Sequence, residues 1–368
     1  MSQQGRSSVV DVSHERRHCP VREEEREGLG APPGGAGACH PECMPTPSLA
    51  ARPAPSSDLG PEASSTPDAV PSPPLPEKKH ATPLQTREAL TKQAGRGYTV
   101  IRNSFVQVRE AGRWRGSSLG RLVTARQPRA LLAYLLLLML WNALDRRAKP
   151  LEAPVWARAL SPDPPAAPWP EKAMTPVWAF LEQEPHPLIT KARKARLVKP
   201  SPRQEDGKAA YVRPRPDVLT GDEAELFFAL PDAFWLEGWH HRLTLPGIAV
   251  LLILLHGTQR RDEARLSPDR AADWYDVSTK TMEKGLEDLR KHDLIKVRTD
   301  WVEAPLSKIG TTKHTYYRLT GVFSRQGREE LQQAAAAATK QREGKANRRT
   351  HAVPPAPTAT TATTAGAS

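Results

Sequence analysis

Large apolar residues are scarce in the first 95 positions of this 368-residue chain, cysteine occurs only three times, and no common catalytic motif is present. Each absence excludes something. Of 37 prolines, 15 lie before residue 95, among runs such as Ala31-Pro32-Pro33-Gly34-Gly35 and Pro71-Ser72-Pro73-Pro74. So little apolar surface does not offset the entropy of ordering the backbone, so residues 1–95 are predicted to be disordered. Pro354 to Ser368, almost entirely Ala, Thr, Pro and Gly, fails the same test. Cys19, Cys39 and Cys43 all fall in the N-terminal stretch, so the predicted domains hold no disulfide, as in a reducing cytosol. The first thirty residues lack the apolar stretch of a secretory signal, and Met44 is an available internal start.

The chain also lacks a Gly-rich phosphate loop, a Gly-x-Ser-x-Gly turn and a paired-carboxylate arrangement. His240, His241 and His256 form no ligand or triad pattern. Cys39-His40-Pro41-Glu42-Cys43, with Cys19, His18 and His14 upstream, has the residue types for zinc. Its spacing matches no common finger, and its surroundings are too rich in Pro and Gly for a pre-formed site. The expectation is a protein with no enzymatic activity, no metal and no cofactor.

What is present is positive charge. A net charge of +12 and a pI near 9.7 favour polyanionic partners, nucleic acid first and anionic membrane second. One apolar run, Ala130 to Leu144, resembles a membrane span, but about 15 residues fall short of the roughly 20 needed, and Arg129 and Asp145 close it sharply. A buried core helix is expected, and no membrane partner.

That helix is repeated. Pro128 opens it, and Pro246, 118 residues later, opens Ile248-Ala249-Val250-Leu251-Leu252-Ile253-Leu254-Leu255. The same offset carries Trp156 onto Trp274 and Ala153 onto Ala271. Segments before each helix, Tyr98–Val108 and Leu226–Trp235, read as strand and short turn. Each unit then has a Leu-Ile pair (Leu188-Ile189, Leu294-Ile295) and a basic hairpin closing on Tyr211-Val212-Arg213 or Tyr316-Tyr317-Arg318. Two copies of one unit are therefore predicted.

The second copy is the clearer. Helix one runs from Pro246 to Leu255, with Gly257 just past its end. Helix two begins at Ser267 as N-cap, before Pro268, and is followed by a tight turn, Asp276-Val277, with Val277 plugging the core. Helix three starts at Ser278 and runs to about His292, with Met282, Leu286 and Leu289 on one stripe. The opposite face carries Lys280, Lys284, Glu287 and Lys291, flanked by Thr279, Thr281 and Glu283. This is a helix-turn-helix layout, whose second helix enters a major groove. Strands Leu294–Thr299 and His314–Leu319 then flank a polar loop. From Lys296 to Arg318 there are five cations (296, 298, 308, 313, 318) against Asp300 and Glu303.

The order helix, helix, recognition helix, basic hairpin resembles that of winged-helix DNA-binding domains. Leu230-Pro231-Asp232-Ala233-Phe234-Trp235, Thr244-Leu245-Pro246, Ala304-Pro305-Leu306-Ser307 and Tyr316-Tyr317-Arg318-Leu319 are similar to phrases in actinobacterial winged-helix proteins, most without an assigned function. The resemblance covers about residues 96–322. It implies a mainly α fold with small β-hairpins (α+β), two winged-helix domains in tandem at 96–216 and 217–324, between tails at 1–95 and 325–368. A tandem arrangement also resembles plasmid replication initiators, although no initiator motif is visible.

The first copy departs from the pattern. Its helices are read as Pro128–Leu144 and Leu151–Leu160, followed by a Pro-rich insertion and a short helix capped by Thr175, poor in cations. Its hairpin compensates, with nine cations between 191 and 215 against two acids. The Ala-rich stretch Gln326–Lys345 reads as a fraying helix or solvated tail. Residues predicted for base readout are Ser278, Thr279, Lys280, Thr281 and Lys284. Those predicted for phosphate contact are Lys291, Arg298, Lys308, Lys313, Lys191, Arg193, Lys194 and Arg196. The expected partner is double-stranded DNA, with a second copy of the chain as a further candidate, and the expected location is the cytoplasm, on the nucleoid. The expected role is transcriptional regulation, with replication initiation and a protein-interaction scaffold as alternatives; exposed Glu283 and Glu287 favour the last.

Overall fold

The computed structural model describes residues 80–164, 166–183, 187–194, 196–205, 209–214 and 226–351. The three cysteines, Met44, Lys208, Arg215 and the predicted tails at 1–79 and 352–368 lie outside the described residues. The fold is mixed α+β, about half helical, with small antiparallel hairpins.

Regular structure begins earlier than the start of the first copy read from the sequence. Residues 83–94, expected within a disordered tail, form helix α1 (Pro83–Ala94). A capping box explains the start: the Thr82 hydroxyl accepts from the Gln85 amide, and the Gln85 side chain accepts from the Thr82 amide. Strand β1 (Tyr98–Arg102), hairpin β2 (Gln107–Glu110) and β3 (Arg113–Gly116), and helix α2 (Ser118–Thr124) follow. Next come α3 (Pro128–Asp145), α4 (Ala153–Leu160), α5 (Met174–Glu182) and hairpin β4 (Ile189–Lys194) and β5 (Leu197–Pro202). Thr175 does not cap α5: the N-cap is Ala173, because a 3-10 turn over Glu171–Ala173 runs straight into the helix.

The segment read as the second copy comprises β6 (Phe227–Pro231), the short helices α6 (Ala233–Leu236) and α7 (Trp239–Arg242), α8 (Leu245–Gly257), β7 (Ala264–Arg265) and α9 (Ala271–Tyr275). Then come α10 (Thr279–Lys291), β8 (Ile295–Glu303), β9 (Thr311–Leu319) and α11 (Arg325–His351). Ser267 leads into a 3-10 turn, Pro268–Arg270, and its side chain makes no capping bond, so the expected second helix is shortened to α9. Gln326–Lys345, read as a fraying helix or solvated tail, lies within α11, which runs on to His351.

The two segments read separately as strands pair with each other: β1 and β6 are antiparallel, Tyr98 opposite Pro231 and Arg102 opposite Phe227. One apolar core runs through both segments read as copies, with α3 and α8 at its centre. α3 is long and apolar enough to cross a membrane, yet 67% of its apolar window is buried inside the protein.

Both outer helices are latched by an arginine that caps another helix. Arg87 of α1 is 0% exposed. It donates to the Ser161 carbonyl at the end of α4 (3.0 Å) and forks onto both Asp163 oxygens (2.6 and 2.7 Å). Arg328 of α11 donates to the carbonyls of Leu255 and Thr258, both at 3.0 Å, and to the Thr258 hydroxyl at 2.8 Å. A helix C-terminus leaves carbonyls without partners and carries partial negative charge, so a buried guanidinium is suited to both places. These two side chains tie α1 and α11 to the fold, alongside Leu90 of α1 in the core and the close approach of Gly327 in α11 to Gly321 and Val322.

Burial also sets an acid limit. Burial, helped by the charge of Arg87, pushes His240 down to about 3, and burial pushes His256 down to about 4. Unfolded histidines titrate near 6.5, so below that pH each is protonated only on unfolding, and stability falls as pH drops towards 4. Asp232, raised to about 6 by burial, opposes this between pH 4 and 6 by keeping its proton when folded. Two imidazoles against one carboxyl leave roughly one proton taken up on unfolding near pH 5, or about 1.4 kcal/mol per pH unit. Thermal melts are expected to shift downward from pH 7 to pH 5. A flat profile would contradict the burial of these imidazoles.

Candidate nucleic-acid interface

The start of α10 is set by its sequence. Asp276 takes a left-handed conformation (φ 52°) and stops α9, and Val277 turns into the core. Ser278 caps α10, its hydroxyl accepting from the Thr281 amide at 3.2 Å and lying 2.8 Å from the Thr281 hydroxyl. Met282, Gly285, Leu286 and Leu289 are buried against α8 and the core. At Gly285 a Cβ would collide with the Pro246 carbonyl oxygen and the Val250 side chain, so the two helices cross at backbone contact. One turn further along, Asp288 accepts from the Thr244 amide (2.8 Å) and hydroxyl (2.7 Å), pinning the N-terminus of α8 to α10.

This anchoring turns the other face outward. Lys280, Glu283, Lys284, Glu287, Arg290 and Lys291 are exposed. Lys280 and Lys284 are held in no ion pair among the described residues. Of the remaining residues expected to read bases, Thr279 and Thr281 are half-buried, and Ser278 is exposed with its hydroxyl engaged in capping.

Hairpin β8–β9 follows α10 directly. Its strands pair over nine residues each, from Ile295 opposite Leu319 to Glu303 opposite Thr311, a reach of roughly 30 Å. The connection turns through Gly310 (φ 69°). Lys296, Lys308 and Lys313 are exposed and outside any ion pair among the described residues. Arg298 is not a free cation: Glu263 binds it at 2.9 Å and Asp300 binds it too, and it lies 4.6 Å from the centre of the Tyr316 ring. Those acids raise its pKa. Glu263 also holds Arg318 at 3.4 Å. Spacing along the hairpin gave no sign of this, because Glu263 comes from the loop before β7, which adds a third strand to β9. The hairpin also exposes apolar side chains: Trp301 (65%), Leu306 (94%) and Ile309 (70%).

In the first unit, α5 presents Thr175, Pro176 and Ala179 to solvent, and no cation. On β4–β5, Lys191 is bound to Glu182 at 2.6 Å, which lowers the Glu182 pKa, and Lys199 lies 3.8 Å from Asp145. Arg193, Lys194 and Arg196 are exposed and outside any ion pair among the described residues. Arg196 sits at the turn with φ 63°. β4–β5 packs on α3 and α5, whereas α10 packs on α8, so the two basic hairpins rest on different core helices.

Among the described residues, no group of three or more His, Cys, Asp or Glu could hold a metal ion. Comparison with protein-family models, curated proteins and solved structures yields no match.

Proposed function

We propose that the protein binds double-stranded DNA with sequence preference and acts as a transcription regulator on the nucleoid, without catalysing a reaction. Its reading unit is a winged helix made of α8, α9, α10 and the β8–β9 hairpin, and the first unit is a diverged second copy. One observation carries the reading: Lys280 and Lys284 stand outward and unpaired on a helix held from behind by Met282, Leu286 and Leu289. Beside it, the β8–β9 hairpin offers Lys296, Lys308 and Lys313 to phosphates. Lysine at the start of a groove-bound helix suits guanine O6 and N7, and cations on the hairpin supply affinity that is indifferent to sequence. Lys291 extends that set, as do Arg193, Lys194 and Arg196 at β4–β5. Arg298 drops to a structural role, since its charge is already met by Glu263 and Asp300.

The test is selection of duplexes from a random-sequence pool by the intact chain, followed by binding measurements on the selected and scrambled duplexes with wild type and Lys284→Ala. A loss confined to the selected duplex is expected, by roughly 1–3 kcal/mol.

A scaffold for a protein partner is the second reading. Glu283 and Glu287 among the lysines of α10, and the exposed Trp301, Leu306 and Ile309, favour it. Absence of duplex selection would decide for it.

A further inference from the structure

We propose that the β2–β3 hairpin of the first unit is a second phosphate-contacting element of the same duplex site, built against the turn that launches α10. The inference rests on the reading of α10 as a DNA-facing helix and adds a contact from the other unit.

The hairpin is basic. Over Gln107–Gly116 it carries Arg109, Arg113 and Arg115 against a single acid, Glu110. Arg113, Trp114 and Arg115 are all exposed. The register sets Arg109 opposite Trp114, and the guanidinium lies 5.7 Å from the centre of that ring. Cation–π stacking orients Arg109 and stiffens the strand pair. The tip, Ala111-Gly112, has positive φ at both residues (48° and 78°), the two-residue turn that matches the twist of a tight hairpin. A Cβ added at Gly112 would meet nothing within 4 Å, so the tip is open to a partner.

Its base is fixed to the α9–α10 turn. A Cβ at Gly116 would collide with the backbone of Tyr275 and Asp276, and one at Gly120 with the Tyr275 carbonyl oxygen. The Gln107 side-chain amide donates to the Trp274 carbonyl at 3.1 Å. The Thr124 hydroxyl of α2 donates to the Asp276 carbonyl at 3.2 Å. Asp276 is two residues from Ser278, the cap of α10. Two glycines at spacing four give backbone-to-backbone approach at that place, so the hairpin and the start of α10 move as one body. A hairpin carrying three arginines, locked to the N-terminal end of a lysine-faced helix, is suited to the phosphates that flank the groove this helix occupies. The chemistry it selects is a duplex polyanion wide enough to touch both elements.

The test uses the intact chain with Arg113 and Arg115 both replaced by alanine, and separately both by lysine. Affinity is measured against salt on a duplex selected from a random-sequence pool and on a scrambled duplex of equal length. Loss of two phosphate contacts is expected to make the log–log salt slope shallower by about 1.8, with the same fold-loss on both duplexes. The lysine pair is expected to restore the slope. Melting temperatures should match wild type, since both side chains lie at the surface. An unchanged slope in the alanine pair, with wild type binding normally, would overturn the hairpin contact and leave the α10 reading intact. A loss confined to the selected duplex would overturn the phosphate assignment. Failure of wild type to bind any duplex would remove the proposed function, and this inference with it.

Discussion

Gly285→Ala is expected to destabilise the protein by about 1–3 kcal/mol, although alanine is the better helix former. In an exposed helix interior the same change adds about 1 kcal/mol of stability. Here the new Cβ meets the Pro246 carbonyl oxygen and Val250. The carbonyl belongs to the first turn of α8 and has no rotamer to escape into. Overpacking of this kind typically costs about 1–3 kcal/mol, occasionally more, and the helices must separate to relieve it. Separation would also loosen the Asp288 bonds to Thr244 and tilt the lysine face of α10. Urea unfolding of wild type and variant measures the change. A variant equal to or more stable than wild type would mean that α8 and α10 do not cross at Gly285.

Arg328→Leu is expected to cost about 3 kcal/mol and to release α11 from the second unit. Leucine fills much of the volume but donates nothing. The carbonyls of Leu255 and Thr258 would be left buried without the two guanidinium N–H groups that now donate to them. Hydrogen bonds from charged donors contribute about 1.5–3 kcal/mol each, and an orphaned buried acceptor costs about 1–3 kcal/mol. Burial lowers the Arg328 pKa to about 10, so the group is still charged at neutral pH and its bonds are charge-assisted. Hydrogen exchange reads the outcome locally: amides of Leu331 to Gly344 should lose protection before those of α8. Equal protection in wild type and variant would show that α11 is held by something other than this arginine.

The parts of the fold that were legible in the sequence are those that a periodic pattern specifies. The unbroken apolar runs after Pro128 and Pro246 mark α3 and α8, and the spacing of Met282, Leu286 and Leu289 marks the buried stripe of α10. What was missed depends on residues distant in sequence. α1 and α11 have weak apolar faces, and each is tied to the fold by an arginine whose partners lie 70 or more residues away along the chain. Neither partner signals the other. The β1–β6 pairing is of the same kind, since each strand was visible and the ladder between them was not. Gly285 did carry a signal, because glycine within a strong helical pattern marks close approach of another backbone. So did Arg109–Arg115, where alternating cations flank an Ala-Gly turn. At the candidate interface the outward placement of Lys280 and Lys284 followed from helical geometry. The neutralisation of Arg298 by Glu263 did not, because it needs β7 alongside β9.

The most direct measurement is the ratio of affinities for a selected and a scrambled duplex, with and without the Lys284 side chain, at one fixed salt concentration. The account predicts that wild type prefers the selected duplex and that Lys284→Ala reduces this preference by about 5- to 150-fold, leaving the scrambled duplex nearly unaffected. Equal ratios for the two proteins would contradict the assignment of α10 as the helix that reads DNA.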